Sequence, residues 1–99
     1  MLLNRSKLNT IINHFGKHLQ WLKLGEEAGE VYKAICRYEY GVVDHVSEIE
    51  EEVADLKVII DELITMYDLN EDKINAYMDY KVERTLIRIN KKLQGDEYI

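Results

Sequence analysis

Two segments of the chain, residues 24–35 and 49–60, repeat one pattern of apolar and acidic side chains at an offset of 25 residues. Apolar residues recur in each segment at spacings of three and four, which is typical of an amphipathic helix. Each segment also carries two carboxylates that are three residues apart and therefore share one side of a helix. The matched pairs are Glu27 with Glu30 and Glu52 with Asp55.

The position of these carboxylates on their helices predicts a metal site. At 100° per residue, Glu27 and Glu52 fall inside the apolar arc, and Glu30 and Asp55 fall at its edge. The side chains that face away from the arc of the first of these helices are those of Glu26, Lys33 and Arg37. If the two helices pack antiparallel through these arcs, the four carboxylates meet, repel one another and resist the loss of water. A cation would compensate them, and all-oxygen ligands suit Mg²⁺, or Mn²⁺ in its place. Because magnesium in proteins is commonly coordinated by phosphate oxygens of the substrate as well as by carboxylates, the substrate is expected to bear phosphate. The alternative is a solvated acidic face.

The remaining pattern predicts an all-α fold. The chain has no proline and only five glycines, which favours long uninterrupted helices. Apolar periodicity and capping residues predict four helices, over residues 5–15, 18–40, 47–67 and 71–93. We expect a single domain over residues 1–99, built as a four-helix-bundle-like subunit with long antiparallel helices that assembles into an oligomer. The predicted buried side of the fourth helix consists of Ile74, Met78, Val82, Thr85, Leu86 and Ile89.

Composition narrows the class of protein further. The formal net charge of −6 argues against a nucleic-acid polymer as partner. The only cysteine, Cys36, excludes a thiolate metal cage. No stretch approaches the roughly 20 apolar residues of a membrane span, and the N-terminus has no signal-peptide pattern. We therefore expect a cytoplasmic protein that does not bind a membrane.

Basic residues on the fourth helix are candidates for phosphate binding. Lys81 lies within the apolar arc of that helix, and Arg84 and Arg88 flank it. Fixed cations near a metal can bind phosphate oxygens and stabilise the charge that develops in a transition state. The alternative is a lysine whose stem covers apolar surface beside two solvated arginines.

The acidic motifs also resemble those of a known family. Glu26-Glu27-Ala28-Gly29-Glu30, followed by Glu52-Val53-Ala54-Asp55, resembles the EExxE…ExxD signature of the MazG-like nucleotide pyrophosphohydrolases. These enzymes belong to the all-α NTP pyrophosphohydrolase superfamily. Residues 20–24 resemble the family's lead-in to the first motif, and residues 81–84 resemble the basic motif of its last helix.

The resemblance implies an activity and a set of roles. Family members cleave nucleoside triphosphates between the α and β phosphates, release a monophosphate and pyrophosphate, and associate as homodimers or homotetramers with the site near the subunit boundary. The Mg²⁺ ligands that it implies are Glu27, Glu30, Glu52 and Asp55, and the carboxylate that orients water or accepts its proton is Glu26 or Glu27. It also implies that Lys81 and Arg84 bind phosphate and that Gln20 and Lys23 lie near the nucleotide.

Two other interpretations of the sequence remain. The chain could be an inert helical module that binds a metal, a nucleotide or a protein, or it could serve only for oligomerisation. A purely structural module would need no carboxylates inside its apolar arcs. No motif marks which base or sugar is bound, and the biological role is open between nucleotide-pool sanitation and a regulatory function.

Overall fold

The computed structural model describes residues 3–93 of the chain. This part contains four helices and no strand: α1 (Arg5–Phe15), α2 (Lys17–Glu39), α3 (Ser47–Met66) and α4 (Glu71–Leu93). The prediction of an all-α chain with four helices is confirmed, and each end lies within one residue of its predicted position.

Capping side chains explain where the helices begin. The Asn4 side-chain oxygen accepts hydrogen bonds from the backbone N–H groups of Ser6 and Lys7, at 2.8 and 3.3 Å. Asn70 likewise accepts from the backbone N–H of Lys73 at 3.0 Å, at the start of α4. Both side chains satisfy donors that the first turn of a helix leaves unpaired. Gly16 separates α1 from α2 with a φ of 88°, a backbone conformation that glycine adopts most easily.

Helices α2 and α3 form an antiparallel hairpin, because only residues 40–46 connect them and they pack along their length. Arg37 pairs with Glu48 near the connection, whereas Glu27 lies close to Asp55 further along the hairpin. Helix α1 packs mainly on α3, where Leu8 and Ile12 contact Met66 in a small core that Leu63 extends. The hairpin therefore sets the relative position of the two acidic motifs.

The chain divides into two compact units, one of residues up to Leu69 and one that begins at Asn70. The single domain over residues 1–99 stays a prediction. No helix in the described part of the chain is long and apolar enough to cross a bilayer.

Helix α4 contains no buried residue. The predicted burial of its apolar side is wrong for this chain: Val82 is 59% exposed and Ile89 is 50% exposed, and Met78, Thr85 and Leu86 are exposed as well. Of the six residues predicted to be buried on α4, only Ile74 is half-buried. Periodicity identified an apolar face correctly, but burial also requires another surface to cover that face.

Candidate metal centre

Three of the four predicted ligands come together between α2 and α3. Glu27, Glu52 and Asp55 each offer one carboxylate oxygen, and these oxygens all lie within 4.8 Å of one another. Glu27 and Glu52 are half-buried, and Asp55 is exposed. The cluster is thus open to solvent on the side of Asp55, which leaves room for water or substrate oxygens around a bound ion.

The fourth predicted ligand, Glu30, borders this cluster. It lies one helical turn after Glu27 on α2, it is half-buried, and it lines a cleft together with Glu52. Its charge is one of the causes that raise the pKa values of Glu27 and Glu52. Glu30 is therefore close enough to act on the cluster, although it is not one of the three residues whose oxygens converge.

The cluster holds its carboxylates in an unfavourable electrostatic environment. The pKa of Glu27 is raised, first by loss of water on burial and then by the charges of Asp55 and Glu26, while Lys23 lowers it. The pKa of Glu52 is raised by the same loss of water and then by Asp55 and other carboxylates. Both effects disfavour the charged form, and a cation bound among these oxygens would reverse them.

The spacing of the oxygens fits a hard divalent cation. Magnesium binds oxygen at about 2.0–2.1 Å, so two ligands on opposite sides of the ion lie about 4.2 Å apart. The oxygens of Glu27, Glu52 and Asp55 lie within 4.8 Å of one another, a separation of the same order. The donors are all carboxylate oxygens, which suit Mg²⁺ or Mn²⁺.

A cleft of about 210 Å³ adjoins the cluster and extends toward the α2–α3 connection. At its far end the Arg37 guanidinium donates hydrogen bonds to both carboxylate oxygens of Glu48, at 2.8 and 3.3 Å. This pairing lowers the pKa of Glu48 and raises that of Arg37. Lys33 also lines the cleft, so the prediction that Lys33 and Arg37 face away is corrected for both residues. The lining residues are Glu30, Lys33, Ala34, Arg37, Glu48, Glu51 and Glu52.

On the other side of the cluster, the two residues predicted near the nucleotide differ in exposure. Lys23 is exposed, and its charge acts on Glu27 and Glu62. Gln20 is buried, with 2% of its surface exposed. Lys23 is thus free to meet a ligand at this end of the site, whereas Gln20 in this conformation is part of the helix packing.

The sequence interpretation missed one buried carboxyl group, that of Glu62, which is only 2% exposed. Its Oε2 atom has no hydrogen-bond partner among the described residues. Burial raises its pKa, and the charge of Lys23 opposes this effect. The signal was present, because Glu62 follows Asp55 by seven residues and so lies on almost the same side of α3.

The two predicted phosphate-binding residues lie on α4, in the second unit of the chain. Lys81 is exposed. Arg84 is half-buried, and its guanidinium carbon lies 5.7 Å from the centre of the Tyr80 ring, a cation–π geometry. The Nε atom of Arg84 has no hydrogen-bond partner among the described residues. Their role in phosphate binding stays a prediction.

No protein-family model matches this chain, and neither the curated proteins nor the solved structures contain a match to it. The resemblance to the MazG-like enzymes therefore rests on the motif residues of the sequence alone.

Proposed function

We propose that this chain is a MazG-like, Mg²⁺-dependent nucleoside triphosphate pyrophosphohydrolase. It converts a nucleoside or deoxynucleoside triphosphate to the monophosphate and pyrophosphate, in the service of nucleotide-pool sanitation. The observation that supports this most is the convergence of Glu27, Glu52 and Asp55 from two helices, since these residues belong to both halves of the acidic signature. An inert structural module would have no need of carboxylates that resist burial at a helix interface.

Glu27, Glu52 and Asp55, with Glu30 beside them, would hold Mg²⁺, and Mn²⁺ could replace it. A bound Mg²⁺ supplies charge neutralisation for the triphosphate and lowers the pKa of a coordinated water. The half-buried positions of Glu27 and Glu52 exclude part of the surrounding water, which strengthens electrostatic interactions at the site.

The residues of the chain then orient the substrate and accept a proton. The oxygen of a water forms a bond to the α phosphorus, the bond from that phosphorus to the bridging oxygen breaks, and pyrophosphate leaves. The proton of the water passes to the carboxylate of Glu26 or Glu27, whose charges act on each other. Lys23 lies at the nucleoside side of the cluster, and Lys81 and Arg84 would bind phosphate oxygens.

An activity assay tests this proposal. The purified chain is incubated with Mg²⁺ and a panel of ribo- and deoxyribonucleoside triphosphates, and both monophosphate and pyrophosphate are measured. We expect Glu52→Gln to lower turnover roughly 100-fold or more, because it removes a ligand charge. The matched control is Glu50→Gln, an exposed carboxylate two positions away on α3. Lack of turnover on every nucleotide would refute the enzyme; equal activity in the two variants would refute the ligand assignment.

The same proposal includes assembly into a homodimer or homotetramer. The apolar side of α4 has no buried residue, and large exposed apolar faces mark association sites. A second copy is the occupant that charge favours. Helix α4 carries six basic and four acidic residues, whereas the chain as a whole has a net charge of −6.

We also propose the cytoplasm as its compartment, since a nucleotide substrate and the free Cys36 suit a reducing environment.

A further inference from the structure

A cleft beside the carboxylate cluster is a feature of the site that the motif does not assign. It shares Glu30 and Glu52 with the cluster and continues along the hairpin toward Arg37 and Glu48. At about 210 Å³ it is several times larger than the volume of roughly 30 Å³ that one water molecule occupies in the liquid. A ligand held at the cluster could therefore extend into this cleft.

Two cations line the cleft, and they differ in availability. Arg37 makes two hydrogen bonds to the Glu48 carboxylate, so most of its charge is already compensated. Lys33 lies one helical turn before Arg37, is exposed, and makes no ion pair with any residue between 3 and 93 that the structure records. Its charge acts on Glu48 only after that of Arg37 and His45. Lys33 is thus the cleft residue best able to bind an incoming anion.

The opposite direction along the hairpin is unfavourable for an anion. Beyond Glu27, the side chains of Gln20 and Glu62 are buried, each with 2% exposure. The Glu62 carboxyl has an oxygen without a hydrogen-bond partner among the described residues. Additional negative charge near this group would raise the cost of its charged form, and Lys23 is the only cation of residues 3–93 whose charge acts on it. The charged part of a substrate is thus directed toward Lys33.

We propose that the cleft binds the β and γ phosphates, the two groups that leave as pyrophosphate, and that Lys33 binds their oxygens. This inference rests on the proposed function, and it gives the substrate a direction along the hairpin. The nucleoside lies toward Lys23, the scissile bond lies at Glu27, Glu52 and Asp55, and the leaving group lies toward the α2–α3 connection.

Charge makes this binding dependent on the metal. Arg37 and Glu48 neutralise each other, so one positive charge remains in the cleft, that of Lys33. Three negative charges remain there as well, those of Glu30, Glu51 and Glu52. Free pyrophosphate meets a net negative surface and is repelled, whereas Mg²⁺ neutralises part of the charge of pyrophosphate and can itself be held by the carboxylates. The cleft should consequently bind the magnesium complex of pyrophosphate and discriminate against the metal-free anion.

Isothermal titration of the full chain with inorganic pyrophosphate, with and without Mg²⁺, tests the inference. We expect Lys33→Met to weaken binding of magnesium pyrophosphate by about 10-fold or more, the usual consequence of losing a charge-assisted hydrogen bond. Lys33→Arg should stay within about 3-fold of wild type, because it keeps the charge. A separate titration with Mg²⁺ alone should give the same affinity for wild type and both variants. The matched control is Lys57→Met, which removes an exposed lysine outside the cleft.

The outcomes separate this inference from the proposed function. Equal weakening by Lys33→Met and Lys57→Met would overturn it, since the effect would then reflect overall charge. Turnover of nucleotides by a wild-type chain whose pyrophosphate affinity is insensitive to Lys33→Met would overturn the cleft assignment and leave the enzyme intact. Lys33-dependent binding of magnesium pyrophosphate without turnover would support the cleft and refute the hydrolase. A wild-type chain that binds neither Mg²⁺ nor pyrophosphate would overturn both.

Discussion

The carboxylate of Glu27 on α2 lies within 4.8 Å of the carboxylate of Asp55 on α3, across the interface of the hairpin. After loss of water, the charge of Asp55 is the largest cause of the raised pKa of Glu27. Two like charges at this distance oppose the packing of the helices that carry them. The repulsion therefore lowers the stability of the hairpin, and such a loss of stability is common at functional sites.

The first prediction follows from this repulsion. Glu27→Gln removes one of the interacting charges, so the variant without metal should be more stable than wild type by about 0.5–1 kcal/mol, a small effect because solvent screens the half-buried site. Added Mg²⁺ should raise the Tm of wild type but not that of the variant. Thermal unfolding with and without Mg²⁺ measures both effects, and Glu50→Gln is the control. A variant that is less stable than wild type and still responds to Mg²⁺ would contradict the site.

The second prediction concerns the buried carboxyl group of Glu62 and the dependence of stability on pH. Burial raises the pKa of Glu62 in the folded chain above its ordinary value of 4.5, so the folded state holds the proton more tightly than the unfolded state. This contribution to stability is fully present below pH 4.5 and is lost as the pH rises through the higher pKa of the folded state. Glu62→Gln should remove this dependence and be more stable than wild type by about 1–3 kcal/mol at pH 8.

Denaturant unfolding at several pH values measures this effect for wild type, Glu62→Gln and the neighbouring control Asp61→Asn. The control should keep the pH dependence of wild type, because Asp61 is less buried than Glu62. If Glu62→Gln lowers the free energy of unfolding at pH 8, the charged form of Glu62 must be stabilised in the fold, contrary to this interpretation.

Much of the hairpin could be predicted because its signals are local. The spacing of Glu27 and Glu52 against apolar neighbours determined which side of each helix faces inward, and Asn4 marked the start of α1. Lys33 was misjudged because its angle on α2 points away from the apolar arc. Its exposed side chain nonetheless lines a cleft whose walls come from both helices. A helical wheel gives the direction of a Cα–Cβ bond and takes no account of where the neighbouring helix ends.

Glu62 and α4 show a second reason why part of the structure could not be predicted from the sequence. A carboxylate on the apolar side of a helix is an exception to the usual pattern, and only the surrounding side chains decide whether it is buried. For α4 the pattern was sufficient to predict the helix and its apolar face, including Met78 and Val82, yet both side chains are exposed. Periodicity states that a face is apolar and leaves open which surface covers it.

The third prediction tests the small core that holds α1 in place. Leu8 is 3% exposed and contacts Met66, whereas Ile11 on the same helix is 37% exposed. Leu8→Ala should lower the free energy of unfolding by about 2–4 kcal/mol, through lost burial and the cavity that it leaves. Ile11→Ala should cost about 1 kcal/mol or less. Similar values for both variants in denaturant unfolding would show that α1 is not held by this core.

The fourth prediction uses two isoleucines of α4 to test whether a second copy covers its apolar side. Ile89 belongs to the apolar face with Met78 and Val82, whereas Ile87 lies about 200° away around the helix, on its opposite side. The two side chains are similarly exposed, at 50% and 55%, so their substitution removes comparable contacts within the chain. A carboxylate at an apolar interface between subunits would be strongly unfavourable, whereas one on a solvated face costs little.

We expect wild type and Ile87→Asp to sediment as a homodimer or homotetramer, and Ile89→Asp to sediment as a monomer, in analytical ultracentrifugation. Circular dichroism of each variant should retain the helical signal of the first unit, whose core residues Leu8, Ile12 and Met66 all lie before Asn70. A monomeric wild type would refute self-association. If both variants dissociate the oligomer to the same degree, α4 takes part in the interface, but its apolar face is not the part that makes the contact. Retention of the oligomer in Ile89→Asp would place the interface elsewhere on the chain, because no stable apolar contact tolerates a buried, unpaired carboxylate at its centre.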